Sequence, residues 1–104
     1  GVLLIIGPET ANLVKDKYDV VELDCIAVKG KTVGVKIFTL AESNSKHEEF
    51  LTKYYDGDWK KAIKLCEELI KEGNELQHYY ENMLERLNDG KPSNWDGTYR
   101  ATSK

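Results

Sequence analysis

Up to Leu40 the apolar residues fall at the spacing of strands, and beyond Ser45 they fall at the spacing of helices. Val2-Leu3-Leu4-Ile5-Ile6 is an unbroken apolar run, as expected of a strand covered on both faces. Gly7-Pro8-Glu9-Thr10 then opens a helix, because proline is tolerated in a first turn and Glu9 suits the positive end of the dipole. That helix is expected to end near Lys15-Asp16-Lys17. Residues 18–28 read as a strand in which Val21, Leu23 and Cys25 alternate with Glu22 and Asp24. The alternation slips near Ile26, the mark of a bulge or of a change in cover. Residues 32–40 give the next strand, with Val33, Val35 and Ile37 on one face and Thr32 and Lys36 on the other. Between the two lies Val28-Lys29-Gly30-Lys31, a tight hairpin in which Gly30 supplies the positive φ.

After the polar connector Ala41-Glu42-Ser43-Asn44-Ser45 the period changes. A first helix carries Phe50, Leu51, Tyr54 and Tyr55 and closes at Asp56-Gly57. Asp58 is a suitable N-cap for a second, with Trp59, Ala62, Ile63, Cys66, Leu69 and Ile70 on one stripe and Gly73 as its left-handed end. Asn74 and Gln77 have capping-box spacing for a third helix. Its stripe is Leu76, Tyr79, Tyr80, Met83, Leu84 and Leu87, stopped by Asp89-Gly90 and Pro92. Two units result, an α/β piece over 1–40 and a helical piece over 41–104 that ends in an aromatic tail. The helical stripes exceed what three helices bury among themselves. Trp95 and Tyr99 are therefore expected to fold back as a cap, with the face of Val33, Val35 and Ile37 as a second wall.

Composition narrows the class. The chain has 104 residues, 40% hydrophobic and 32% charged, which suits a folded protein rather than a disordered one. A net charge of -3 with both signs interspersed lacks the basic face that nucleic acid requires. Cys25 and Cys66 have no partner at metal-ligand spacing and read as free, partly buried thiols of a reducing compartment; the rival reading, one disulfide in an exported protein, has no signal peptide to support it. No apolar run approaches the ~18 residues of a membrane span, so no membrane contact is expected of this chain. It opens on an apolar strand without an initiator methionine, and the protein is expected to continue upstream.

Gly7-Pro8-Glu9-Thr10-Ala11-Asn12-Leu13-Val14-Lys15-Asp16, then Val21-Glu22-Leu23-Asp24, then Val28-Lys29-Gly30-Lys31, resembles the closing third of the class III adenylate/guanylate cyclase domain. The order is an apolar strand, a helix ending in a Lys-Asp pair, a strand with a Glu-Leu pair, a Val-Lys-Gly-Lys hairpin and a last strand, here Val35-Lys36-Ile37-Phe38-Thr39-Leu40. Gly7 replaces a usual serine, and Cys25 stands near a position often polar or basic. Tyr54-Tyr55-Asp56-Gly57-Asp58-Trp59-Lys60-Lys61-Ala62 resembles a tetratricopeptide turn. Asn94-Trp95-Asp96-Gly97-Thr98-Tyr99, with Thr102 and Lys104 behind it, is similar to the tails of bacterial cyclases that carry an N-terminal sensor region.

The resemblance implies the C-terminal part of a ferredoxin-like α/β (α+β) cyclase fold, followed by a TPR-like extension. It implies a parent that makes cyclic 3',5'-AMP and pyrophosphate from ATP, or the guanine product from GTP, for signalling inside the cell. The parent would work as a cytoplasmic head-to-tail homodimer, whether or not an upstream region anchors it to a membrane. Two Mg or Mn ions held by two aspartates are implied for the parent, with an asparagine and an arginine stabilising the transition state. All of these lie upstream, so neither a catalytic residue nor a metal ligand is expected here. Lys29, the first lysine of the hairpin, is implied to reach the terminal phosphates, a task that suits a mobile ammonium. Lys31 reads as surface. His47 and His78 are too far from other ligands to suggest a metal site, and Glu67-Glu68 with Lys71-Glu72 reads as a solvated face. The alternative reading is a non-catalytic helical interaction module on an α/β base.

Overall fold

Helix α1 (Pro8–Val14) and strands β1 (Val20–Ala27) and β2 (Val35–Leu40) come first in the chain. Helices α2 (Ser45–Asp56), α3 (Trp59–Glu72) and α4 (Gln77–Asn88) follow, and a short strand β3 (Tyr99–Arg100) is last. The computed structural model describes residues 4–27, 33–42 and 44–100, and among these the protein is mixed α+β, with a three-stranded sheet and four helices. Its contacts divide it into two units, with boundaries after residue 43 and after residue 96.

In the first unit the strand order is β2-β1-β3. β1 and β2 are antiparallel, from Val20↔Leu40 to Ile26↔Val35. The register shifts between Glu22 and Asp24, so the bulge lies earlier than the slip expected near Ile26. The extra residue reverses the parity of the strand: Leu23 and Asp24 are consecutive and both buried, and Cys25 is only half-buried. The Asp24 carboxylate meets the Cys25 amide at 2.8 Å, which satisfies part of its hydrogen-bonding need inside the unit.

Two other expectations for this unit are corrected. Of the apolar run at the start, only Ile6 pairs among the described residues, through mutual backbone hydrogen bonds of 2.9 Å with Phe38. Leu4 and Ile5 are more than half exposed rather than covered on both faces, and one seven-residue helix is too short to cover a whole sheet. β2 begins at Val35 rather than residue 32, and Val33 is 74% exposed. α1 ends at Val14, close to its expected end, with Ala11 as its buried side chain.

The second unit is a three-helix layer in which the turn between the first two helices follows the sequence closely. Gly57 has φ 88°, its amide bonds the Tyr54 carbonyl and the Asp58 amide bonds that of Lys53. These two bonds form a Schellman end, which needs the left-handed residue that glycine supplies most easily. The Asp58 side chain then accepts from the Lys61 amide at 3.3 Å and starts α3. The other two caps differ from expectation. Gly73 has φ 69° but ψ 108°, outside the left-handed helical region. Asn74 accepts from the Leu76 amide at 2.8 Å in a local turn, so no capping box forms and α4 starts at Gln77. Phe50, Tyr54, Trp59, Ala62, Cys66, Leu69, Tyr80, Met83 and Leu87 fill the core between the helices.

Candidate functional site

The hairpin between β1 and β2 is the place to which the sequence assigns a ligand contact, and Lys29 and Lys31 lie outside the described residues. What is described is the base from which that segment leaves. β1 runs to Ala27 and β2 resumes at Val35, with Ile26 and Val35 still paired. The third strand lies on the other side of β1, in parallel pairing of Ile26 with Tyr99 and of Ala27 with Arg100. The tail thus supplies a strand rather than only an aromatic cap. Cys25 Sγ and Thr98 Oγ1 stand 3.5 Å apart just before this pairing. A methyl group added at Gly34 would lie 2.7 Å from Cys25 Sγ and 2.7 and 2.8 Å from the Oγ1 and Cγ2 of Thr98. Glycine is needed there for close approach. The signal was present in Val33-Gly34-Val35, since a glycine inside an apolar strand often marks a neighbouring backbone.

The helical unit holds buried chemistry of a different kind. His47, at the start of α2, is 3% exposed and shares a 2.8 Å hydrogen bond with the Tyr80 hydroxyl. The rings of Phe50, Tyr79 and Tyr80 surround it at centroid distances of 6.2, 6.0 and 5.7 Å. The Cys66 thiol donates to the Tyr80 carbonyl at 3.1 Å. Lys46 pairs with Glu72 and, at 3.5 Å, with Glu68, so part of the supposed solvated face ties α2 to α3. His78 is exposed beside Glu81. Among the described residues no three His, Cys, Asp or Glu side chains are grouped to hold a metal ion, and no helix is long and apolar enough to cross a membrane. Every buried side-chain nitrogen or oxygen among them has a hydrogen-bond partner. A network this fully satisfied is suited to fixing one packing arrangement of the helices.

At the other end of α2 Trp95 forms a cap, while Tyr99, expected to share it, lies in β3. Its indole N–H donates to the carbonyls of Tyr54 at 3.0 Å and Tyr55 at 3.1 Å, and its ring lies 5.1 Å from those of Tyr54 and Trp59.

Burial pushes the Cys66 thiol up to about 12 from 9.0, and the Tyr80 phenol up to about 12 from 10.0. Both groups stay neutral in the folded unit at pH values where the unfolded chain ionises. Their contribution to stability is therefore complete below pH 9 and is lost as the pH rises toward 12. The urea midpoint of the helical unit should fall from pH 8 to pH 11, and Cys66→Ala should remove the part of the fall that begins first. A midpoint that is flat or rising over this range contradicts the burial of both groups.

No family model, curated protein or solved structure matches this chain.

Proposed function

We propose that this chain is the C-terminal part of a class III nucleotidyl cyclase, in which the hairpin carrying Lys29 contributes a phosphate contact and the helices are an appended TPR-like unit. The observation that carries the reading is the order of elements in the first unit. A strand-like segment at Ile6 pairs with β2, the Pro8–Val14 helix follows, and then β1 and β2 pair antiparallel around the Val-Lys-Gly-Lys sequence. That order is the order of the segments that carry the sequence resemblance. The exposure of Leu4, Ile5, Leu13, Tyr18 and Val35 on this unit supports it as well, since a small domain seldom leaves that much apolar surface open without a partner. The upstream part of the same catalytic domain is the cover proposed.

In that arrangement aspartates of the upstream part would hold two Mg or Mn ions, which would supply Lewis acidity to the ribose 3'-hydroxyl and the phosphates. The 3'-oxygen would bond to the α-phosphorus as its proton passes to water, while the bond from the α-phosphorus to the bridging oxygen breaks and pyrophosphate leaves with that oxygen. Lys29 neutralises charge on the departing phosphates, a role that a flexible ammonium performs as a point charge. ATP is the proposed substrate, a head-to-tail homodimer the working form and the cytoplasm the compartment. The exposed large apolar side chains among the described residues all belong to the first unit, so no such face on the helical unit favours reading the chain as an interaction module.

The 104-residue chain alone should make no cyclic nucleotide from ATP or GTP with Mg or Mn. Turnover above background in a purified sample would place the reacting groups inside these residues and overturn the assignment.

A further inference from the structure

We infer that His47, Tyr80 and Asn74 form an acid-sensitive latch, which fastens α4 and the connection before it to the start of α2 and opens that end of the helical unit as the pH falls below neutral. The latch belongs to the helical unit alone and does not depend on the cyclase reading. Its polarity follows from hydrogen bonds in series. The Asn74 side-chain carbonyl accepts from the Leu76 amide, which leaves its NH2 group for Tyr80. Burial raises the pKa of the Tyr80 phenol, while the bond from Asn74 lowers it, as a donor to the phenol oxygen does. With that side of its oxygen taken, the hydroxyl directs its own proton to His47 Nδ1, 2.8 Å away. Nδ1 is thus an acceptor, and the imidazole is neutral with its proton on Nε2.

Protonating His47 opposes this arrangement twice. An Nδ1–H would face the Tyr80 O–H, and the phenol would have to turn its proton toward the Asn74 amide, itself a donor. The new charge would also lie on a ring only 3% exposed, among the rings of Phe50, Tyr79 and Tyr80. The neighbouring groups do not offset this. On α2, Lys46 precedes His47, and Glu48 and Glu49 beyond it are exposed. On α3, Cys66 and Glu72 act on Tyr80, but the thiol stays neutral and Glu72 is paired with the Lys46 ammonium. Glu68 is held by the same ammonium. On α4 the groups at the ring are the phenols of Tyr79 and Tyr80, uncharged at acid pH. The far end of α2 is fastened by indole N–H groups on backbone carbonyls, and these do not titrate.

Unfolded histidine takes up its proton near pH ~6.5, and the folded latch resists it, so the unfolded chain binds more protons below that pH. The contribution of the latch is therefore complete above about pH 7.5 and is lost as the pH falls. Imidazole proton–nitrogen spectra and urea unfolding of the 104-residue chain test it. Trp59 and Trp95 both lie in the helical unit, so tryptophan fluorescence follows that unit. His47 should have an unprotonated Nδ1 at about pH 8 and titrate at least about one pH unit below ~6.5. The unfolding equilibrium constant should then rise about fivefold or more from about pH 8 to about pH 5.5. His47→Gln offers Tyr80 an acceptor that does not titrate and should abolish the rise. Tyr80→Phe removes the donor to Nδ1 and should move the His47 titration upward. As the pH falls, amide protection should drop at residues 76–83 and hold at 54–62.

A His47 that titrates at ~6.5 or above overturns the latch. So does an equal pH dependence in a folded His47→Gln, because another group then carries it. Where His47→Gln does not fold, the spectra of the unaltered chain and of Tyr80→Phe decide. An His47 titration that Tyr80→Phe leaves in place overturns the relay through the phenol. Protection lost equally at both ends of α2 overturns the selective opening.

Discussion

Trp59→Ala should cost the helical unit ~3–5 kcal/mol, the usual range for truncating a buried tryptophan and a large share of a small unit's stability. The side chain is 6% exposed, stacks on Tyr54 at 5.7 Å and meets Trp95 edge-on at 5.1 Å. Its N–H donates at 3.0 Å to the Tyr54 carbonyl, the same oxygen that receives the Trp95 indole. Alanine leaves a cavity beneath Trp95 and takes one of the two indoles from that carbonyl. Far-UV circular dichroism in urea checks the loss. Trp59→Phe keeps a ring in place and loses the hydrogen bond, so its cost should be smaller, with about 1 kcal/mol from that bond. An unchanged midpoint for Trp59→Ala would contradict the packing of α2 against α3.

In the complete protein, Lys29→Ala should lower kcat/KM about ten- to a hundredfold, equivalent to the ~1.5–3 kcal/mol of a charge-assisted contact. The fold is expected to survive, because Val28-Lys29-Gly30-Lys31 reads in the sequence as a polar turn. Lys29→Arg keeps the charge and should recover part of the loss, though a planar guanidinium does not reproduce a compact ammonium. Thermal melts of each variant separate a lost contact from lost structure. A kcat/KM equal to that of the unaltered protein, in a correctly folded Lys29→Ala, removes the phosphate role from this lysine.

The helical half was legible because its signals are local. Asp56-Gly57-Asp58 specifies an end and a start within three residues, and the stripe through Trp59, Ala62, Cys66 and Leu69 coincides with the buried face of α3. The capping box at Asn74 failed because an asparagine can satisfy a nearer amide, and here it bonds Leu76 two residues on. The burial of His47 could not be read from the run Lys46-His47-Glu48-Glu49, because it rests on Tyr80, 33 positions away. In the sheet, the order of elements followed from the pattern, but the bulge came earlier than the visible slip. Alternation in the sequence continues through Val21, Glu22, Leu23 and Asp24 even though the register does not. β3 was illegible as a strand: two residues carry no period, and the pairing joins positions 73 apart, as between Ile26 and Tyr99. Lys29, the single candidate ligand residue, was found through resemblance and not through any pattern of charge or spacing.

Production of cyclic nucleotide by the complete protein that contains this chain tests the central claim most directly. On the proposed cyclase reading, purified protein incubated with ATP or GTP and Mg or Mn forms the cyclic 3',5'-monophosphate and pyrophosphate in equal amounts. Formation should stop on metal chelation and weaken in Lys29→Ala. A folded, metal-replete complete protein that forms neither cyclic AMP nor cyclic GMP would contradict the assignment.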